Sequence, residues 1–486
     1  MRIRARCMTL IMALLLSIGT AFGQGAQAKY VFLFIGDGMA LAQVSAAEIY
    51  AKSLAGKEHG FSKLGFTQFP AQGIATTYDS SSIITDSASA ITAIATGNKT
   101  LSGVINMDPG KTKKFKTIAE YAKEQGMKVG VVTTVSLDHA TPAGYYAKVP
   151  SRSNYYDISL QLVASGFDYF AGGGFLQPKG KNGDQPDIID LAKKNGYTFV
   201  NSVDAFRALT PSTGKVLAIN PTLQDSMAMP YEIDRDSRDL SLVDYVSKGI
   251  ELLDNPKGFF FAIESGKIDW ACHANDAAAS INDTLAFDRA IMRAVEFQKK
   301  HPTETLIIVT GDHETGGMSI GFAGTQYSTF FEKVSLQEGS YVAFNDKVLA
   351  PYKKQHTLAT AKLSDLLPTI EDFFGIDYEK LDDPSKEMLQ RSFIRSMKGE
   401  IERAPQEDVY LIYGGYEPLT VTLTHLANQA AGIGWTSYAH TGVPVPVYAL
   451  GVSQNLFDGY YDNTDLFYKM SAAMGIKVPV ASVASK

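Results

Sequence analysis

Four strand-like apolar runs in this chain each end in acidic residues or histidines. Tyr30-Val31-Phe32-Leu33-Phe34-Ile35 leads into Gly36-Asp37-Gly38, and Val129-Gly130-Val131-Val132 precedes Asp138-His139-Ala140-Thr141. Phe259-Phe260-Phe261-Ala262-Ile263 is followed by Glu264, then by Asp269 and His273, and Thr305 to Val309 runs into Thr310-Gly311-Asp312-His313. Unbroken runs of β-branched and aromatic residues suit strands covered on both faces. An open α/β sheet places its site beyond the carboxyl ends of its strands. Four such junctions, with His440 late in the chain, predict one place where carboxylates and imidazoles gather. That donor set suits a cluster of Zn2+ and Mg2+.

The segments between these runs read as helices. Leu41 to Leu54, Phe115 to Gln125, Ser153 to Ser165, Leu240 to Leu253 and Asn275 to Lys299 alternate with strand-like stretches that include Phe167 to Ala171 and Pro446 to Leu450. Alternation of this kind predicts an α/β fold: a mostly parallel central sheet with helices on both faces. Residues from about 320 to 435 break the rhythm. They hold a helical stretch at Leu363 to Phe374, a charged stretch at Asp377 to Arg403 and a strand-like piece at Val409 to Tyr413, and they read as an inserted cap or crown within a single domain spanning 29–486.

The first 28 of the 486 residues read as a secretory signal peptide. Arg2, Arg4 and Arg6 precede the apolar stretch from Met8 to Ile18, and Ala26-Gln27-Ala28 offers a small-residue cleavage site. The expectation is an exported protein, periplasmic or secreted, with no membrane span, because no later segment carries about 18 unbroken apolar residues. Cleavage after Ala28 leaves 42 basic against 51 acidic residues, a formal charge of −9. Such a balance excludes a surface built to coat nucleic acid, so any phosphate binding must come from a local positive centre. Cys272 is then the remaining cysteine, no internal disulfide forms, and stability rests on a large core.

The chemistry lies at the junctions. Past the end of a strand, Asp312 and His313 can both turn toward one ion, and Asp269 and His273, four residues apart, share a helix face. Glu264 directly after an apolar strand would be costly to bury without a cation. In Thr85-Asp86-Ser87-Ala88-Ser89-Ala90, Thr85 or Asp86 caps a helix of small residues and leaves Ser87 in or near its first turn, where backbone N–H groups and the dipole favour an anion. Taken singly, these also read as a polar strand end, a solvated helix pair and an ordinary N-cap serine. In combination, the metal ligands supply what a serine hydroxyl needs to become a nucleophile.

Phe34-Ile35-Gly36-Asp37-Gly38-Met39, Thr85-Asp86-Ser87-Ala88-Ser89-Ala90, Asp138-His139-Ala140-Thr141-Pro142-Ala143, Glu264-x4-Asp269-x3-His273, Gly311-Asp312-His313-Glu314-Thr315-Gly316-Gly317 and His440-Thr441-Gly442 occur in the order found in alkaline phosphatases. The resemblance spans nearly the whole chain after residue 28, apart from the insertion. It implies Asp269, His273 and His440 as ligands of one zinc, and Asp37, Asp312 and His313 as ligands of a second, with Ser87 as the nucleophile beside it. It implies Asp37, Thr141 and Glu264 as magnesium ligands, and Arg152 as the arginine that grips the phosphate, oriented by Asp86. His139 and Trp270 form the His/Trp pair of some bacterial members, with His139 behind the third metal. The implied activity is hydrolysis of phosphate monoesters through a phosphoserine, with two Zn2+ and one Mg2+, in a homodimer. Alternatives on the same fold are phosphodiesterases and other superfamily hydrolases, against which Ser87, Thr141 and Glu264 together favour a monoesterase. A non-enzymatic phosphate- or metal-capture protein would need no serine at a helix start.

Overall fold

Alternate side chains of the strand Tyr30–Gly36 (β1) enter two different cores: Val31, Leu33 and Ile35 pack into one, Tyr30, Phe32 and Phe34 into the other. This is why the first apolar run shows no polar alternation; it has no solvent face. The computed structural model describes residues 27–56, 60–400 and 408–478. Residues 1–26 of the predicted signal peptide, and His59, lie outside them.

The other strands are β2 (Ala71–Thr76), β3 (Lys128–Thr133), β4 (Tyr169–Gly172), β5 (Tyr197–Val200), β6 (Lys215–Ile219), β7 (Phe259–Ser265) and β8 (Thr305–Gly311). Four short ones follow, β9 (Glu314–Thr315), β10 (Ser319–Ile320), β11 (Ile433–Gly434) and β12 (His440–Thr441), then β13 (Val445–Gly451) and β14 (Gly459–Asp462). Ten of them form one sheet in the order β14-β2-β13-β8-β1-β7-β3-β4-β6-β5. Only β13 runs against the rest, antiparallel to both β8 and β2. The mostly parallel sheet expected from the sequence is therefore present. The four strands with chemistry at their ends, β8, β1, β7 and β3, are consecutive neighbours at its centre.

Helices cover both faces. One side carries α1 (Leu41–Leu54), which starts and stops where the sequence placed it. The opposite face carries α2 (Ser87–Thr96), α3 (Ile118–Glu124), the single turn α4 (Ala140–Ala143) and α5 (Tyr155–Ala164), through Ile91, Ile118 and Ile158 among others. Returning to the first side, α6 (Leu242–Leu253) and α8 (Ala277–Lys300) bury Leu242, Tyr245, Ile281 and Phe287 with Val44 of α1, and between them comes the short α7 (Lys267–His273). Each fully buried Phe or Ile contributes roughly 1.5–3 kcal/mol. Strands β2, β5, β6 and β14 were not read from the sequence. They are short or lie toward the sheet edges, and β2 contains Gly73 and exposes alternate residues.

The irregular region has a core of its own, built from Phe344, Leu349, Ile370, Phe374, Leu389 and Phe393 with further apolar neighbours. Its helices include α9 (Leu367–Phe374), α10 (Asp383–Lys398), α11 (Asp408–Tyr413), and α12 (Pro418–Ala431). At its base β10 and β11 pair antiparallel, Ser319 with Gly434 and Ile320 with Ile433. One local expectation fails: the strand-like Val409 to Tyr413 is the helix α11. β-propensity expresses fit to a pleated neighbour. Here Gly414 and Gly415, both with positive φ, end a helical turn, and the Gly414 N–H is satisfied by Tyr410 O at 2.8 Å. The last helix, α13 (Thr464–Ala473), returns to the sheet.

Candidate active site and metal centre

The central strands end level. Glu264 pairs in register with Ile35 on one side and Thr133 on the other, and Gly36 pairs with Gly311. Residues just beyond these positions therefore converge: Asp37 after β1, Asp312 and His313 after β8, Thr141 on α4 after β3, and Asp269 and His273 on α7 after β7. Gly38 makes the approach possible. Its φ is +73°, and a Cβ there would lie 2.8 Å from the Asp269 Cα, in a conformation that favours glycine. Its N–H donates to Asp312 Oδ1 at 3.1 Å.

The sequence-predicted ligands assemble into three adjoining groups. In the first, His273 Nε2 lies 3.3 Å from Asp269 Oδ1 and 3.1 Å from His440 Nε2, and His440 Nε2 lies 3.6 Å from Asp269 Oδ1. In the second, His313 Nε2 stands 3.4 Å from Asp37 Oδ1 and 3.3 Å from Asp312 Oδ2. In the third, Thr141 Oγ1 donates to Asp37 Oδ2 at 3.1 Å, and Asp37, Glu264 and His139 offer ligand atoms within 4.8 Å of one another. His139, expected behind this group, thus brings a ring nitrogen within ligand reach. Asp138, its neighbour in the motif, turns away and accepts from the Leu176 N–H at 2.9 Å.

Two observations show that cations fit here. First, the acceptors fix the tautomers of the imidazoles. His273 Nδ1 donates to Tyr438 O at 2.6 Å and His440 Nδ1 to Thr85 O at 2.8 Å. Thr315 Oγ1 donates to Asp269 Oδ1 and so accepts from His313 Nδ1 at 3.3 Å. All three Nε2 atoms are left as bare lone pairs turned toward carboxylates. Second, Asp37 Oδ1, Glu264 Oε1 and Asp312 Oδ2 are buried without a hydrogen-bond partner. Buried polar atoms are normally paired, and hard oxygen donors gathered this closely suit divalent ions.

The electrostatics agree. Burial, reinforced by Asp312, Asp269 and Glu264, pushes the Asp37 carboxyl well above the usual range. Burial, then Asp269, does the same to Asp312, and burial lifts Glu264 to about 7. Asp269 goes the other way. Burial would raise it, but His273, His440 and His313 together hold it well below the ordinary carboxylate value. Burial, then His440, pushes His313 down, and burial followed by Arg152 brings His139 to about 3. Burial pushes His440 down as well, whereas burial of His273 is outweighed by Asp269, which raises it. His139, His313 and His440 thus favour the neutral form that metal binding requires of histidine, and at His273 a cation would take the place of the proton beside Asp269.

Ser87 is the first residue of α2, and Asp86 is its N-cap, accepting from Ser89 N at 2.9 Å. The buried Ser87 Oγ lies 3.2 Å from His313 Nε2. Arg152 donates through NH1 to Asp86 Oδ2 at 2.9 Å, and its NH2 is 3.2 Å from His139 Nε2. Burial would raise the Asp86 pKa, but Arg152 and backbone donors bring it to about 2. Trp270 meets the His139 ring edge-on at 5.7 Å between centroids.

Several supporting residues had no sequence signal. Thr315 links Asp269 to His313. Glu314 accepts from Gln43 Nε2 at 2.8 Å and from Thr441 Oγ1, tying β9 to β12 so that the His313 and His440 rings stack at 3.6 Å. Thr133 donates to Glu264 from the neighbouring strand. Asn275, with φ +50°, donates to Cys272 O and Ser437 O, both at 2.9 Å, and joins α7 to the loop that carries His440. Glu314 and Thr315 stand inside a quoted motif that assigns them no role, and Asn275 reads only as the start of a helix.

A serine hydroxyl buried at a helix start, beside three groups of residues that could hold cations on the carboxyl edge of a parallel sheet, is the arrangement of a metal-dependent hydrolase. The family model described as alkaline phosphatase matches residues 28–476. Alkaline phosphatase 3 of Bacillus subtilis is 32% identical over 469 residues, covering 94% of this chain and 91% of that protein. The repressible alkaline phosphatase of Saccharomyces cerevisiae is 27% identical, covering 90% and 80%. Among solved structures, a cold-active alkaline phosphatase from a psychrophilic Shewanella sp. is 28% identical with a TM-score of 0.74, covering 92% and 99%. Thermus thermophilus alkaline phosphatase is 25% identical with a TM-score of 0.76, covering 94% and 93%. A TAB5 alkaline phosphatase variant with histidine exchanged for glutamate, described with Mg bound in its M3 site, is 25% identical with a TM-score of 0.62, covering 93% and 99%. The chain belongs to the alkaline phosphatase family, and is a phosphoric monoester hydrolase that works with divalent metal ions. No helix among the described residues is long and apolar enough to cross a membrane.

Proposed function

We propose that this enzyme hydrolyses phosphate monoesters by double displacement through a phosphoserine at Ser87. The observation that carries the reading is the buried Ser87 hydroxyl at the start of α2, 3.2 Å from His313 Nε2 and beside the unpartnered oxygens of Asp37 and Asp312. Asp269, His273 and His440 would hold one Zn2+, and Asp37, Asp312 and His313 a second next to Ser87. Asp37, Glu264 and Thr141, with His139 in reach, would hold a Mg2+, an assignment supported by their hard oxygen donors. When bound, these ions supply charge neutralisation and acidify the hydroxyls they hold.

The chain's own residues then do the following. Arg152, anchored at one end by Asp86, sits where its remaining N–H groups grip two phosphate oxygens. The helix start adds its positive dipole end to the same anion. Ser87 Oγ attacks phosphorus, the ester P–O bond breaks, and the alcohol leaves. Water then attacks the Ser87 phosphoester, and inorganic phosphate departs as the hydroxyl is restored. Phosphoryl transition states are loose, so positioning and charge stabilisation dominate. Family membership also supports a homodimer, and the basic-then-apolar start supports export to the periplasm or the medium.

The test uses metal-replete protein with p-nitrophenyl phosphate, its diester, and a radiolabelled monoester quenched in acid. Wild type should hydrolyse the monoester far faster than the diester and trap label on Ser87. Ser87→Ala should trap none and lose at least a thousandfold in kcat. Full turnover by Ser87→Ala would refute the covalent step, and preference for the diester would favour the phosphodiesterase reading.

A further inference from the structure

Beside the metal centre the insertion opens a cleft of about 750 Å³, within the range of about 300–1,000 Å³ typical of small-molecule sites. It is lined by Tyr410, Tyr416 and Tyr438 together with Asn345, Asp346 and Lys353. The three phenol rings group around Tyr438, with Tyr410 and Tyr416 each 6.3 Å from it between centroids. Tyr341 extends the aromatic surface 5.8 Å beyond Tyr416.

This cleft adjoins the reacting centre. The carbonyl of Tyr438 accepts from His273 Nδ1, and His440 follows two residues later. Burial, then the nearby charge of Asp269, raises the Tyr416 phenol to the far alkaline range. The His273 side chain, which contacts the cleft residue Tyr438 through its carbonyl, is 25% exposed, whereas His313 is 0% exposed.

We propose that this cleft is a leaving-group subsite for planar, hydrogen-bonding alcohols of the nucleoside class, which makes the enzyme discriminate among monoesters. The inference rests on the phosphomonoesterase reading above. Phosphate itself is common to every substrate and is held by Arg152 and the metal ligands, so discrimination has to come from what lies beyond it. Grouped phenol faces favour stacking of a flat ring. Asp346 and Asn345 are the acceptors available to ring amino groups and ribose hydroxyls, Glu417 being held by Thr420 and Lys353. Lys353 is paired with Glu417 at 3.9 Å, so Asp346 leaves the lining net negative, which disfavours an anionic leaving group. All of the lining but Tyr438 belongs to the insertion, so a catalytic centre built on the sheet can acquire a preference without altering its ligands.

The experiment uses the full-length, metal-replete enzyme. Adenosine is titrated by calorimetry and tested as an inhibitor of glycerol 2-phosphate hydrolysis. The ratio of kcat/KM for adenosine 5′-monophosphate over glycerol 2-phosphate is measured for wild type, Tyr410→Ala, Tyr416→Ala and Tyr416→Phe. Adenosine should bind and compete, the ratio should fall about tenfold in each alanine variant, and Tyr416→Phe should keep it because the ring remains. Melting temperatures identify a variant that fails to fold, in which case Tyr416→Phe and wild-type adenosine binding still decide. Absence of adenosine binding, or equal loss on both substrates, overturns the subsite while leaving the hydrolase intact. Failure to hydrolyse any monoester would instead overturn the parent reading, and adenosine binding would report on the cleft independently.

Discussion

Replacing Asn275 with glycine should weaken the metal centre without touching a ligand. Asn275 holds φ at +50° and makes three side-chain bonds: Nδ2 donates to Cys272 O and Ser437 O, both at 2.9 Å, and Oδ1 accepts from His425 Nε2 at 3.1 Å. Since Nδ2 is committed to two carbonyls, the His425 proton must sit on Nε2. Glycine keeps the backbone conformation at no cost but deletes all three bonds. At about 1 kcal/mol net for each, the variant should lose about 2–4 kcal/mol. Asn275→Ala should lose about 1–2 kcal/mol more, because alanine adds the left-handed penalty. The bond to Ser437 O lies one residue before Tyr438, whose carbonyl orients His273, and three before His440. Loosening it should reduce retention of the ion at Asp269, His273 and His440 by roughly 10–100-fold, the usual cost of losing an outer-shell partner. Zinc release to a chromogenic chelator and calorimetric melting give the two readouts. A glycine variant that melts like wild type and holds zinc equally well would refute the reasoning.

Other outcomes follow from the same geometry. Exhaustive chelation should lower the melting temperature substantially, because unpaired Asp37, Glu264 and Asp312 are left facing one another; each site bound at about 1,000 times its Kd is worth about 4 kcal/mol. An unchanged calorimetric trace after dialysis against EDTA would contradict this. The ionised Asp86, held by Arg152 and by the backbone N–H groups of Ser89 and Gly103, should contribute about 2 kcal/mol at neutral pH, since it is depressed from 3.8 to about 2. A depressed carboxyl stabilises above its unfolded pKa, so this term is present above about pH 4 and disappears as pH falls toward about 2. The difference in stability between wild type and Asp86→Asn, followed by denaturant titration, should shrink across that window and hold flat above it.

How much of this could be read from the chain differs by level. The central strands and α1 were legible because their apolar pattern is continuous or periodic and their ends carry abrupt polar residues. The acidic residues and histidines that gather beyond those strands stood out for the same reason, together with the order of motifs. The edge strand β14 and its neighbour β2 were not legible, since β2 alternates buried with exposed residues, β14 buries none of its residues, and both gain their identity from pairing. Val409 to Tyr413 misled because its composition favours a strand while its surroundings supply no partner and two glycines that stop a helix. Asn275 and Glu314 act through bonds to segments more than 100 residues away, which no local pattern encodes.

Asp37 is the residue on which the architecture concentrates its demand, and an isosteric change there separates a shared ligand from a private one. Its Oδ1 faces His313 and the second group, while Oδ2 accepts from Thr141 in the third. β1, which delivers it, lies between β8 and β7, the strands that deliver the second group and Glu264. Asp37→Asn keeps size and shape but replaces one of these oxygens with an NH2 that cannot ligate, and removes the charge serving both groups. Elemental analysis should therefore show loss of the second and third ions together, with the ion at Asp269, His273 and His440 retained. Glu264→Gln touches only the third group and should lose only that ion. Activity should fall at least a thousandfold in the first variant and less in the second, because Ser87 depends on the second group. If Asp37→Asn keeps its full metal complement, or if Glu264→Gln empties every site alike, the division of Asp37 between two ions is wrong.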